Sequence, residues 1–145
     1  MNPEAISTVW LADDDDDDCL VFGDVLAECK PESKLTCVSN GQLVLDLLRS
    51  RPLVPDVLFL DLNMPIMNGL EALEHIKQDA KFRELPVVIL STSAQASAVE
   101  KSMALGARFF VRKPDSFDVF KQILQRIFAA DLGASAAGSE FLILK

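Results

Sequence analysis

No apolar run in this sequence approaches the roughly 20 residues that a membrane-spanning helix needs, so no membrane segment is expected. Positive charge is also scarce. Against 22 acidic residues stand 14 lysines and arginines, giving a net charge of −8 and a pI near 4.5. Phosphate-rich surfaces would repel such a chain, which argues against nucleic acid or an anionic membrane as partner. Cysteine is sparse: Cys19, Cys29 and Cys37 are odd in number and form no C-x-x-C pair. They read as free thiols of a reducing cytosol rather than a disulfide framework or zinc site. Met1 to Trp10 lacks a basic region followed by an apolar stretch, so no secretion signal is read there and a cytoplasmic location is expected. The single histidine, His75, lies near Glu74 and Lys77 and reads as a surface residue, not a phosphodonor.

What the chain does have is a repeating pattern. Its 145 residues, 50% of them hydrophobic, suit one domain with a sizeable core. Short apolar runs alternate five times with helical spacing: strands at Thr8 to Ala12, Leu35 to Val38, Val57 to Leu60, Val87 to Leu90 and Arg108 to Arg112. Between and after them, Leu20, Val21, Val25 and Leu26 can share one helix face, as can Leu43, Val44, Leu47 and Leu48, and then Leu70, Leu73 and Ile76. A weaker helix at about Ser97 to Leu105 ends at Gly106, a natural C-cap. The last helix starts near Asp115 or Ser116 and buries Phe117, Phe120, Ile123, Leu124 and Ile127. Phe109 and Phe110 alternate across the fifth strand, one expected in the core and the other facing outward; Trp10 is a core candidate. Apolar strands between amphipathic helices imply a doubly wound α/β fold with a five-stranded parallel sheet, over residues 1–130. From Asp131 the chain turns to Gly, Ala and Ser, so 131–145 reads as a tail; Gly138-Ser-Glu-Phe141 has the look of a cloning linker and is given no function.

In an open parallel sheet, ligands bind outside the carboxyl ends of the strands. That rim carries Asp13 and Asp14 after the first strand, Asp61 after the third, Ser91 after the fourth and Lys113 after the fifth. Two carboxylates about 4 Å apart repel by about 4 kcal/mol at an effective dielectric near 20, so three need a counter-charge or raised pKa values. A hard cation such as Mg²⁺ fits oxygen ligands of this kind, and an aspartate between a metal and a lysine has the setting of a nucleophile for phosphoryl transfer.

These residues sit in stretches that resemble the receiver domain of two-component response regulators, the chemotaxis-type flavodoxin-like (βα)5 fold, over roughly residues 7 to 130. The stretches are Val9-Trp-Leu-Ala-Asp-Asp-Asp15, Pro55-Asp-Val-Leu-Phe-Leu-Asp61-Leu-Asn-Met-Pro65-Ile-Met-Asn-Gly69, Pro86-Val-Val-Ile-Leu-Ser91 and Gly106-Ala-Arg-Phe-Phe-Val-Arg-Lys113-Pro114. The resemblance implies Asp61 as phosphoacceptor, and Asp13, Asp14, Asp61 and the backbone carbonyl of Asn63 as Mg²⁺ ligands. It further implies Ser91 as switch hydroxyl, Lys113 as the contact to phosphoryl oxygens, Phe110 as switch aromatic, and commonly a cis bond before Pro114. A sensor histidine kinase or histidine phosphotransfer protein would be the donor and a downstream protein the target, with a homodimer open. Such a domain is not an enzyme beyond its own phosphorylation and dephosphorylation.

Other readings stand beside this one. The six aspartates Asp13 to Asp18 leave the metal register open, with Asp15 in reserve and Asp16 to Asp18 enriching the first helical turn. An EF-hand on Asp13, Asp15, Asp17 and Asp24 is rejected, because its sixth place needs glycine and holds Asp18. A haloacid-dehalogenase-type phosphatase would want an acid two residues after the nucleophile, where Asn63 stands. A phosphorelay intermediate, or a degenerate module that binds partners without phosphate, remains as an alternative. Thr92 beside Ser91 is larger than the family's usual residue and would narrow access to the phosphoryl group, and Asn63 and Ser93 lie where the family tunes acyl-phosphate lifetime.

Overall fold

Strands covered on both faces have no polar side to offer, which is why the apolar runs become a central sheet rather than a half-solvated one. The computed structural model describes residues 7–50, 54–130 and 142–144. In chain order the elements are β1 (Thr8–Ala12), α1 (Asp16–Cys29), β2 (Lys34–Val38), α2 (Gly41–Ser50), β3 (Val57–Asp61), α3 (Gly69–Gln78), β4 (Val87–Ser91), α4 (Ala96–Ala104), β5 (Phe109–Arg112) and α5 (Phe117–Ala129). The strands run parallel in the order β2-β1-β3-β4-β5, the five-stranded, doubly wound arrangement expected from the sequence. A sixth strand, β6 (Leu142–Leu144), extends the sheet beyond β5, with Phe109 opposite Leu142 and Phe110 opposite Ile143. The tail reading gave no hint of it, and the linker-like residues 138–141 lie outside the described residues.

The two faces divide the core by strand alternation. Val9, Leu11, Val57, Phe59, Val88, Leu90, Phe109 and Val111 point to one side, against Phe22, Val25 and Leu26 of α1 and Phe120, Ile123 and Leu124 of α5. Edge-on contacts of Phe22 with Phe59 and Phe120, at 4.9 and 5.8 Å, lock α1 and α5 together over this side. Trp10, Ala12, Leu58, Leu60, Ile89 and Phe110 point the other way, against α2 and α3. Both Phe109 and Phe110 are therefore buried, at 4% and 0% exposure, correcting the expectation that one faces outward. The sheet has no outward face at β5.

Three helix faces are rotated from the sequence reading. In α1 the buried set is Phe22, Val25 and Leu26, while Leu20 and Val21 are exposed. In α2 Val44, Leu45 and Leu48 are buried and Leu43 is exposed; in α5 Phe117 is exposed. Gly106 follows α4 with φ +96, the left-handed conformation expected of a residue just past a helix end. No cis peptide occurs among the described residues, so the Lys113–Pro114 bond is trans, unlike the cis bond common in the family it resembles. Lys113 reaches inward nonetheless, its backbone N–H donating to Ser91 O at 2.7 Å.

Candidate functional site

The carboxyl ends of β1, β3, β4 and β5 form one rim, and the polar side chains buried there are few: Asp13, Asp61 and Ser91, at 3%, 5% and 1% exposure. Each is the residue at which an apolar strand stops, so burial comes from the strand and polarity from the rim. Lys113, the first residue after β5, sends its ammonium into the middle. Its Nζ lies 2.9 Å from each of Asp13 Oδ2, Asp61 Oδ2 and Asp18 Oδ2. One oxygen each from Asp13, Asp14 and Asp61 falls within 4.8 Å of the others, an arrangement that could hold a metal ion. These donors are all hard oxygens, the set that suits a divalent cation of the magnesium kind.

Backbone amides fix the two buried carboxylates. Asp15 N–H donates to Asp13 Oδ1 at 3.0 Å, and Asn63 N–H to Asp61 Oδ1 at 3.2 Å. Ser91 Oγ accepts from Ser93 N–H at 3.2 Å, which holds the hydroxyl at the start of the β4–α4 loop. Beside these groups opens a cleft lined by Asp18, Thr92, Arg112, Lys113 and Pro114.

The electrostatics follow from counting charges: one ammonium faces three carboxylates, with Asp14 beside them. Burial pushes Asp13 up to about 6, and the Asp61 charge adds to it, although hydrogen bonds from Lys113 and the Asp15 amide pull the other way. Burial alone would lower Lys113, but its hydrogen bonds to Asp13, Asp18 and Asp61 hold it well above the ordinary lysine value. Both shifts have one origin. A single cation is over-subscribed, so it keeps its proton while one of its partners is short of positive charge.

The rim brings together Asp13, Asp14, Asp61 and Lys113 and sets Ser91 at the end of the neighbouring strand. Asp15 plays a different part. Its side chain caps α1, with Oδ1 accepting from Asp17 N–H and Asp18 N–H at 2.9 and 3.3 Å. The register therefore puts Asp13 and Asp14, not Asp15, in the acidic group. Phe110 lies one face below the rim, wholly buried against the α2/α3 side. His75 is exposed on α3, as expected. The sequence reading missed Asp18, which it treated as one more charge in the first helical turn. With the cap at Asp15, Asp18 is the third helical residue and turns its carboxylate toward Lys113.

Gly69 explains how β3 and α3 meet. A Cβ there would come within 2.3 Å of the Asp61 carbonyl oxygen and 3.2 Å of Leu62 Cα, both backbone. Only glycine allows α3 to start this close to the residue that carries the buried carboxylate. Gly69→Ala should therefore push the Asp61 backbone aside and cost roughly 2 kcal/mol or more, as overpacking does. Chemical denaturation would measure this; a variant as stable as the parent would show that α3 can back away freely. Next in the same loop, Ile66 is 81% exposed with φ +69, a strained conformation for a β-branched residue.

A parallel doubly wound sheet carries a buried aspartate, an acidic pair and a lysine together at its carboxyl edge. The model of the response regulator receiver domain matches residues 9–125, and the chain belongs to that family of two-component signalling domains. It is 31% identical over 120 residues to the two-component response regulator ORR26 of rice (Oryza sativa subsp. japonica), a match covering 83% of this chain but only 20% of that protein. Among solved structures it is similar to the phosphorylated cyanobacterial phytochrome response regulator RcpA, with 28% identity, a TM-score of 0.78 and coverage of 85% of this chain and 91% of that one. It is also similar to the Mn²⁺-bound form of response regulator Rcp1, with 25% identity, a TM-score of 0.75 and coverage of 83% and 91%. Receiver domains interact with histidine kinases and downstream targets. Among the described residues, no helix is long and apolar enough to cross a membrane.

Proposed function

We propose that this receiver domain is a phosphorylation switch that takes a phosphoryl group on Asp61 in a Mg²⁺-dependent reaction. The observation that carries the reading is the position of Asp61, buried between the Lys113 ammonium, 2.9 Å away, and the Asp13 and Asp14 carboxylates. A carboxylate oxygen of Asp61 attacks phosphorus, and an O–P bond forms as the donor's N–P bond breaks and its electron pair returns to the imidazole. Lys113 offsets charge on the phosphoryl oxygens, and Ser91 Oγ offers them a short donor. Asp13, Asp14, Asp61 and the Asn63 carbonyl would hold Mg²⁺, which when bound neutralises charge on the transferring group. Ser91 and the buried Phe110 then favour a second conformer, and the α4–β5–α5 face changes its affinity for a protein target. That RcpA has been seen phosphorylated and Rcp1 with Mn²⁺ supports both halves of the reading.

The donor is a sensor histidine kinase or histidine phosphotransfer protein, in the cytoplasm, and neither nucleic acid nor membrane is a partner. The test is beryllofluoride, a phosphoryl mimic, followed by fluorine NMR. A bound signal that needs Mg²⁺ and is lost in Asp61→Asn is expected; no bound signal in the parent chain would leave an interaction module that works without phosphate.

Metal affinity should carry a pH signature. Asp13 titrates near 6 in the metal-free fold, so below that pH a proton competes with the cation, and above it the carboxylate is free to ligate. Calorimetric Mg²⁺ titrations should show affinity falling by roughly tenfold per pH unit below about 6 and flat above about 7. Constant affinity down to about pH 5 would remove Asp13 from the ligand set.

A further inference from the structure

Two of the three cysteines, far apart in sequence, meet in the fold. Gly23 of α1 packs on Leu35 of β2, with the Leu35 Cδ2 atom 3.5 Å from where a glycine Cβ would stand. One helical turn back from Gly23 is Cys19, and two strand residues on from Leu35 is Cys37. Four helical residues rise about 6.0 Å and two strand residues about 6.6 Å, so the antiparallel run of α1 over β2 keeps them in step. Cys37 shares the Leu35 face, and Cys19 packs on the same cluster as Leu35. The two thiols lie close enough that each acts on the other's proton affinity. Cys37 is exposed and Cys19 half-buried, whereas Cys29 lies one end of α1 away with its thiol toward Lys121 O.

We propose that Cys19 and Cys37 are a redox-modification site, joined reversibly by a two-electron oxidant of the peroxide class. Peroxide oxidises the exposed Cys37 thiol to a sulfenic acid, releasing one water. The Cys19 sulfur attacks the Cys37 sulfur and displaces a second water, so two thiols and one peroxide give one disulfide and two waters. Excess dithiol reverses the reaction. Cys19 is half-buried, and burial disfavours a thiolate, so the reaction answers sustained oxidant rather than a brief pulse. The cross-link ties the first turn of α1 to β2 and removes the S–H that Cys19 directs at Asp13 O, 3.7 Å away. That turn carries the Asp15 cap and the Asp18 contact to Lys113, so the modification sits against the acidic rim without using its carboxylates.

The experiment is thiol counting on the full chain after hydrogen peroxide, by alkylation and intact mass, with mapping of any cross-link after cleavage at glutamate, where the cut after Glu28 separates Cys19 from Cys29. Alkylatable thiols should fall from three to one in monomeric protein, the survivor being Cys29, and return to three with dithiothreitol. Cys29→Ser should keep the cross-link, and Cys19→Ser and Cys37→Ser should each lose it. Three alkylatable thiols after oxidant, a bridge that includes Cys29, bridging only between molecules, or conversion of Cys37 to the sulfinic acid without a bridge would each overturn the proposal. Mapping the parent chain decides the matter even if a serine variant folds poorly, and the outcome is independent of whether Asp61 accepts phosphate.

Discussion

Lys113→Met is expected to destabilise the metal-free fold by about 2–4 kcal/mol, and added Mg²⁺ is expected to restore most of the loss. The substitution keeps the length of the stem and removes the charge. Asp13 and Asp61, nearly inaccessible to solvent, would then face each other without a cation, and breaking a buried pair from one side costs about 3–5 kcal/mol. The lower range reflects Asp18, whose side chain is 41% exposed and can return to water. Because the ammonium shares Asp13 and Asp61 with any cation held by the acidic group, its removal should also tighten Mg²⁺ binding. Thermal unfolding with and without Mg²⁺ reads both effects. A variant as stable as the parent in the absence of metal would mean that the carboxylates repel far less than their spacing implies.

Asp13→Asn should move stability the opposite way. The folded chain holds the Asp13 proton up to about pH 6, against 3.8 for an ordinary aspartate, because burial disfavours the charge. The sign follows from linkage: a folded-state pKa raised above the unfolded value makes this carboxyl's contribution decline as pH rises from about 4 to about 6. Asparagine cannot ionise and escapes that decline. At about 1.4 kcal/mol per pKa unit, with allowance for coupling to Asp61 and Lys113, the variant should be about 1–3 kcal/mol more stable at neutral pH without metal. The gain should vanish below about pH 4, and Mg²⁺ binding should fail at every pH. Urea denaturation across pH measures it. Lower stability at neutral pH would show that the hydrogen bond to Lys113 outweighs the burial cost.

How far these effects could be read from the sequence differs between elements. The strands β1, β3, β4 and β5 were legible because each is an apolar run ended by a polar or charged residue, and the same feature marks the rim that holds Asp13, Asp61, Ser91 and Lys113; β2, with Thr36 at its centre, was legible only from its place between two helical patterns. The face of α1 was not. Leu20 and Val21 fit a helical stripe as well as Phe22 does, and what decides is the pocket between Phe59 and Phe120 that only the ring of Phe22 fills. Asp18 was hidden for a related reason, since six identical residues carry no register until Asp15 is seen to cap the helix. The meeting of Cys19 with Cys37 depends on how α1 lies over β2, which no spacing rule expresses. Nor does β6 leave a trace: three apolar residues after a Gly, Ala and Ser stretch have no period, and their place is set by the open edge of β5.

The most direct test of Asp61 as phosphoacceptor is intact mass after incubation with acetyl phosphate and Mg²⁺, beside Asp61→Asn. One phosphoryl adduct is expected, dependent on Mg²⁺, lost in Asp61→Asn and labile as an acyl phosphate is. An adduct that persists in Asp61→Asn, or none in the parent chain at any Mg²⁺ concentration, would contradict it.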